Sequence, residues 1–419
     1  MYRRHVTRTI VVVTVLFAVL GVAATPVVVA APTPNVGTDF YRPPVPLPVG
    51  APGDVLRTAP SVDALIPGTG AVIDARVTRV MYLSQNVKDQ PVAVTGTVLV
   101  PTRPWTGKRP RPVVAMAPGT QGMGDQCAPS KLMVFGQEYE NLQIGLLLAS
   151  GYSVALTDYM GLGTPGVHPY LNRVDAGRAL LDIARAAGSM GSQGVSRDAP
   201  IALWGYSQGG QASGAAAELA SSYASELPFV GAFVGAPAPD LNDLAEYGDR
   251  SVLSGGIGWV ISGFVAAYPE HTRELLSVFN ARGRELLYRS QSYCVFNALQ
   301  MNPFGSTTDY TSDGRSISAY LRTEPLKSLT AAQTLGNLTP SMPVYVGQNL
   351  GDDLVAARGT LRLQRAWCSR GVTVESANLP LPQILPKTAL GHVLGLATVV
   401  PALQWLQARF SGTEPPSNC

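Results

Sequence analysis

The sequence predicts an α/β fold: a mostly parallel sheet with helices on both faces, interrupted by one helical insertion. Three observations carry that expectation. Short continuous apolar runs alternate with helix-like stretches through the middle of the chain, the pattern of parallel strands covered on both faces. A Gly-x-Ser-x-Gly stretch, "LWGYSQGG" at residues 203–210, stands where one such run ends and a helix begins. Residues 241–336 break the rhythm, carrying helical patterns such as "HTRELLSVFNARGRELLYRS" and no apolar strand run. At 419 residues, with 46% apolar and 14% charged side chains, the chain can bury a large core under a surface of low charge.

The elements follow in order. Residues 1–31 have a basic start (Arg3, Arg4, Arg8), the uncharged run "IVVVTVLFAVLGVAA" and small residues at Ala30 and Ala31, the layout of a cleaved export signal. Pro26 interrupts the run and argues against a membrane anchor. Removing its three arginines leaves 28 basic against 28 acidic residues, so the basic balance of the full chain implies no nucleic-acid partner. Residues 32–67 are rich in proline ("YRPPVPLPVGAPGD") and read as an extended arm over the surface. Alternating residues on both sides of "NVKDQ" predict a β-hairpin. The hairpin opens a core spanning 68–240 and 337–419. Its strands are "PVVAMAPG", "YSVALTDYMG", "PIALWGYS", "FVGAFVGAPAP", "MPVYVG" and "VTVESANL", and "VVPALQWLQARF" is its last helix. Four cysteines in an exported chain read as two disulfides, with three pairings open; no Cys or His spacing suggests a metal.

Ser207 is the residue with chemistry to explain. On a sharp strand-to-helix turn the backbone is strained, and the residues two before and two after, Gly205 and Gly209, must lack side chains because strand and helix converge there. The hydroxyl then stands clear of the sheet, and the first helical N–H, that of Gln208, points at a developing oxyanion. A serine nucleophile needs a base, and four histidines allow selection by elimination. His5 lies in the leader, His168 precedes the serine, and His271 falls in the insertion. His392, in "ALGHVLG" between the last strand and the last helix, occupies the place of the base. The acid belongs on the loop after a late strand, where "GQNLGDDLVAARG" offers Asp352, with Asp353 in reserve. The second oxyanion donor belongs on the loop "PGTQGMGDQCAPS", from Thr120 or Gln121. Activity should then fall as pH drops through about 6–7, where the histidine protonates.

"DFYRPPVPLP", "PGTQGMGDQCAPS", "TDYMGLGTPGVHPYL", "GYSQGGQAS" and the "GDD…GH" ending together resemble the secretory lipase family, α/β-hydrolases of the Candida antarctica lipase A type. The likeness runs from about residue 39 to 419. It implies the α/β-hydrolase fold, an exported carboxylic-ester hydrolase acting on acylglycerols, and a helical cap between nucleophile and acid, matching 241–336. The family's triad carries over onto Ser207, Asp352 and His392, and its oxyanion loop onto "GTQG", with Thr120 versus Gln121 open. Asp158 and Tyr159 match the family pattern and read as a hydrogen-bonded structural pair. Pairing Cys127 with Cys294 would tie the cap to the core, and Cys368 with Cys419 would hold the tail. Within the cap, the apolar "SGGIGWVISGFVAAY" (254–268) reads either as the buried core of the cap or as a wall of the acyl pocket. There Trp259 and Phe264 would give contact, while Gly258 and Gly263 leave room for a chain.

No cofactor or metal is implied. The expected partner is a lipid or ester small molecule at a lipid–water interface, and no obligate protein partner is evident. The same triad would serve a short-chain esterase or an acyltransferase, and a non-catalytic binding protein could use the same fold. A peptidase would need a charged anchor that the sequence does not offer.

Overall fold

The computed structural model describes residues 38–419; the leader assigned to residues 1–31 lies outside them. Nine strands form one sheet: β1 (Val55–Ser61), β2 (Ala75–Gln85), β3 (Pro91–Pro101), β4 (Val113–Ala117), β5 (Ser153–Thr157), β6 (Ile201–Tyr206), β7 (Phe229–Gly235), β8 (Val344–Asn349) and β9 (Val374–Leu379). Their order is β1-β2-β3-β5-β4-β6-β7-β8-β9. From β5 to β9 every pairing is parallel, and β1, β2 and β3 add antiparallel ribbons at one edge. This is the α/β-hydrolase arrangement.

The central strands read "VVAMA", "SVALT" and "IALWGY", without alternation, because all their residues are buried. Successive side chains still serve opposite faces. Ala115, Ala117 and Leu203 meet α2 (Arg173–Gly188) and α3 (Gln208–Tyr223) on one side. Val114, Met116 and Trp204 meet α1 (Asn141–Ala149) and α9 (Val399–Phe410) on the other. The helices between β7 and β8 that matter below are α4 (Leu241–Gly248), α5 (Ile257–Ala267) and α6 (Ala281–Ser290). After β8 come α7 (Ala357–Ser369) and α8 (Leu390–Leu394). Among the described residues no helix is long and apolar enough to cross a membrane.

One expectation needs correcting. The proline-rich arm is not merely draped over the surface, because its residues 55–61 form β1, paired antiparallel to β2. Pro60 lacks an N–H and fits there because an edge strand donates on one side only. Before it, Phe40 and Tyr41 are buried, with the Arg79 guanidinium 4.9 Å from the Phe40 ring centre. Composition hid a strand that tertiary pairing stabilises.

The segment between β7 and β8 is helical, with no strand assigned among its residues, and has its own apolar core around Trp259, Ile261, Phe264 and Phe279. Polar ties fix it to the sheet domain. Glu218, buried on α3, faces Arg173 at 3.0 Å and accepts from the Gly336 N–H and the Trp367 indole. The Gln333 side chain accepts from the Arg173 N–H at 2.8 Å. Two disulfides add covalent ties, Cys127–Cys294 and Cys368–Cys419, spanning 167 and 51 residues. Cross-linking removes freedom from the unfolded chain in proportion to the logarithm of the closed loop. Replacing Cys127 and Cys294 by serine should therefore cost about 1 kcal/mol more than replacing Cys368 and Cys419. Urea midpoints of the two double variants give the comparison, and equal losses would contradict it.

Candidate active site

Ser207 sits at the β6–α3 turn with φ 62° and ψ −121°, a conformation a side-chain-bearing residue adopts only under constraint. The constraint is close packing. A Cβ on Gly205 would lie 2.0 Å from the Gly209 carbonyl oxygen, and one on Gly209 would lie 2.1 Å from that of Ala117. Gly210, outside the motif, is equally confined: its Cβ would stand 2.1 Å from the Gly235 oxygen. The Ser207 N–H donates to that same Gly235 carbonyl at 2.9 Å, pinning the turn to the end of β7.

His392 Nε2 lies 2.8 Å from Ser207 Oγ, and its Nδ1 lies 2.7 Å from Asp352 Oδ2. The ring is aimed by backbone bonds from neighbouring elements: Tyr206 O–H donates to the His392 carbonyl (2.6 Å), and Asn349 Nδ2 to that of Gly391 (2.7 Å). The two aspartates divide the work. Asp352 holds the imidazole while its Oδ1 accepts from the Leu354 and Val355 N–H groups at 2.9 and 2.8 Å. Asp353 instead folds the histidine loop, accepting from the N–H groups of Thr388, Ala389 and His392.

The oxyanion candidates separate as well. Thr120 lines the cleft together with Ser207 and Gln208, whose backbone N–H opens α3. The Gln121 side chain turns into the protein and donates to Glu138 at 3.2 Å, leaving only its backbone near the cleft loop. His168 is no base here. It is buried, stacked on Tyr159, with Nδ1 at 2.9 Å from the Met160 carbonyl and Nε2 at 3.0 Å from the Gln208 amide. Those partners assign it the Nδ1–H tautomer, and burial lowers its pKa to about 4 despite the Met160 bond. His271 belongs to a helical turn of the insertion, far in sequence from the site loops. Asp158 and Tyr159 act structurally. Asp158 gathers the Ser130 N–H and the Thr95 and Ser130 hydroxyls, and the Tyr159 hydroxyl donates to the Pro118 carbonyl at 2.8 Å.

The cleft above Ser207 is walled by Leu241, Leu244, Ala245 and Gly248 of α4, by Ile257, Trp259, Val260 and Ile261 of α5, and by Leu321 and Leu354. Asp249 is the one charged residue among those lining it. Trp259 is placed as expected; its indole N–H is satisfied by the Ser290 carbonyl at 3.0 Å. Phe264 is not on the wall. It lies one turn further along α5 in the core of the insertion, beside Tyr268. Gly258 and Gly263 likewise leave no room for a ligand. A Cβ at 258 would meet Ser290 Oγ at 2.9 Å and one at 263 the Tyr170 N at 2.6 Å, so both glycines serve close helix packing. The walls that sequence reasoning missed are on α4, whose polar-looking "LNDLAEYG" hides a narrow apolar stripe.

The fold and this site define an α/β-hydrolase. The chain belongs to the secretory lipase family, whose description, Secretory lipase, matches residues 127–418, and it is a hydrolase of the lipase/esterase type. It is similar to Lipase 10 of Candida albicans, 27% identical over 92% of this chain and 83% of that one. A probable inactive lipase of Mycobacterium tuberculosis is 28% identical over 89% of this chain and 82% of its own. In structure it resembles Candida antarctica lipase A, with a TM-score of 0.77 at 23% identity over 93% of this chain and 89% of that one.

Burial opposes charge on the His392 ring, but the Asp352 charge and hydrogen bond, helped by Asp353, outweigh it and raise its pKa above the ordinary value. If His392 serves Ser207 as its base, it can do so only when neutral, so activity would be lost as pH falls through that raised value. The acid limb of kcat/KM should therefore have its midpoint above about 6.5. A midpoint at or below that value would contradict the stabilisation by Asp352.

Proposed function

We propose that the protein is a secreted serine carboxylic-ester hydrolase that cleaves acylglycerols through an acyl-enzyme on Ser207. One observation carries the reading: the unbroken chain from Asp352 through His392 to Ser207 opens directly into an apolar cleft. Family membership alone would be weaker support, since one relative is described as a probable inactive lipase. The leader-like start and the two disulfides support export.

In the first half-reaction Ser207 Oγ attacks the ester carbonyl carbon while His392 Nε2 takes its proton. The carbonyl oxygen becomes an oxyanion held by the Gln208 N–H and a donor of the 120–121 loop. Collapse breaks the bond to the alcohol oxygen, which leaves with the His392 proton. Water, deprotonated by the same nitrogen, then attacks the acyl carbon; the bond to Ser207 Oγ breaks, that oxygen takes the proton back from His392, and the fatty acid is released. Asp352 fixes the tautomer and stabilises the imidazolium. The acyl chain occupies the cleft between α4 and α5, where each buried methylene contributes about 0.8 kcal/mol.

Three experiments test this. Ser207→Ala should fold normally and lose ester hydrolysis by about 10⁴-fold or more; a variant keeping a tenth of its activity would remove Ser207 from the role. A p-nitrophenyl ester series run beside a triglyceride emulsion separates a lipase from a short-chain esterase, an acyltransferase or an inactive binding protein. Ala245→Phe, which fills the cleft from α4, should shift preference toward short esters. Gly258→Phe and Gly263→Phe, which collide with Ser290 and Tyr170, should instead depress every chain length in parallel with the folded fraction. Equal behaviour of the three variants would place the acyl chain elsewhere.

A further inference from the structure

The loop carrying residues 119–121 is gripped by three consecutive residues of another segment. Glu140 Oε1 accepts from the Gly119 N–H at 2.7 Å, the Tyr139 hydroxyl donates to the Thr120 carbonyl at 3.0 Å, and Glu138 Oε1 accepts from the Gln121 side chain at 3.2 Å. The fit is tight enough to dictate sequence: a Cβ on Gly119 would lie 2.8 Å from the Tyr139 hydroxyl and 3.0 Å from Glu140 Oε1. The gripping segment is itself anchored to the nucleophile's strand. Glu140 also accepts from the Gln143 amide, and Gln143 Oε1 accepts from the indole of Trp204, three residues before Ser207. On the far side the Val295 N–H donates to the Gln121 carbonyl at 2.8 Å, next to the Cys127–Cys294 bridge.

What this grip does follows from peptide geometry. In a trans peptide the C=O of one residue and the N–H of the next lie in one plane and point in opposite directions. Fixing the Thr120 carbonyl on Tyr139 therefore fixes the direction of the Gln121 N–H, which has no acceptor among the described residues although Gln121 is buried. Buried N–H groups without partners are rare in native proteins, and this one stands on the loop that borders Ser207 through Thr120.

We propose that Tyr139 is a positioning residue for ester hydrolysis: its hydroxyl turns the peptide between Thr120 and Gln121 so that the Gln121 N–H is held ready for the oxyanion. Glu138 and Glu140 brace the residues on either side. The role rests on the reading of Ser207 as nucleophile given above. Burial, with the neighbouring Glu140 charge, pushes the Glu138 carboxyl well above its usual range, and burial raises Glu140 to about 7, so two full charges are not forced together beneath the loop. A preorganised donor acts on the transition state and adds little to ground-state binding, so its loss belongs in kcat.

Tyr139→Phe removes one hydroxyl and keeps the ring that packs edge-on against Phe296, 6.1 Å between centres. It should lower kcat by roughly 10- to 100-fold while KM for a p-nitrophenyl ester moves less than about twofold. Affinity for a trifluoromethyl ketone, whose adduct with the serine carries an oxyanion, should weaken by the same factor, with binding of a fatty alcohol unchanged. Glu140→Leu, which releases the Gly119 N–H, should show the same split and serves if the first variant folds poorly. Wild-type kcat in folded Tyr139→Phe overturns the proposal. So does a loss shared equally by KM, fatty-alcohol binding and the melting temperature, the mark of general loosening. Ser207→Ala run alongside keeps the two readings apart, because activity surviving in that variant sinks the nucleophile assignment and not the grip.

Discussion

The approach of helix α3 to the ends of strands β4, β6 and β7 is the constraint on which the site depends. Three backbone carbonyls, of Gly209, Ala117 and Gly235, occupy the space where β-carbons of residues 205, 209 and 210 would otherwise go. Only glycine permits that approach, and only that approach holds Ser207 in a backbone conformation it would not adopt alone. The strain is sustained by a sheet buried on both faces, whose packing leaves the turn no relaxed alternative. A methyl group at any of the three positions would have to move a strand, so stability and reactivity are set by the same few atoms.

Much of this was legible because the relevant signals are local. A strand ending in Gly-x-Ser-x-Gly announces its own geometry, and the scarcity of histidine singled out His392 as the candidate base without knowledge of the chain's path. The choice between Asp352 and Asp353 was a different matter. Adjacent carboxylates point in different directions, and which one meets the imidazole depends on how the loop of residues 380–389 folds back, a long-range fact. The same holds for α5. Its apolar character was readable, but Phe264 faces the insertion's interior and Ile261 the cleft, a rotation set by packing against α6 and the residues around Tyr170. Strand β1 was obscured because proline-rich composition is a cue for extended arms and equally compatible with an edge strand. The contact of residues 138–140 with the loop after β4 carries no sequence signal at all, being a meeting of two irregular segments.

The insertion and the sheet domain are bound together by polar and covalent joints as well as by apolar contact. Met123, Tyr170 and Leu171 pack into the insertion's apolar core, and beside them Glu218 accepts from the Gly336 N–H, Gln333 accepts from the Arg173 N–H, and the Cys127–Cys294 disulfide crosses over. Such joints are directional. They fix where the roof sits over Ser207, which apolar contact, being tolerant of sliding, would leave loose. The cleft is therefore defined by polar geometry at its margins and by hydrocarbon along its walls.

The chain order of the triad has a temporal side. Ser207 precedes His392 by 185 residues, and the entire helical insertion is made between them. In chain order β1 to β7 and the serine come first, and β8, β9 and the loop of residues 380–389 that leads to the proposed base come last. If His392 is the base of Ser207, each copy carries an unactivated serine while the 185 residues from there to His392 are made. The topology thus makes the proposed reactive pair one of the last things the chain completes.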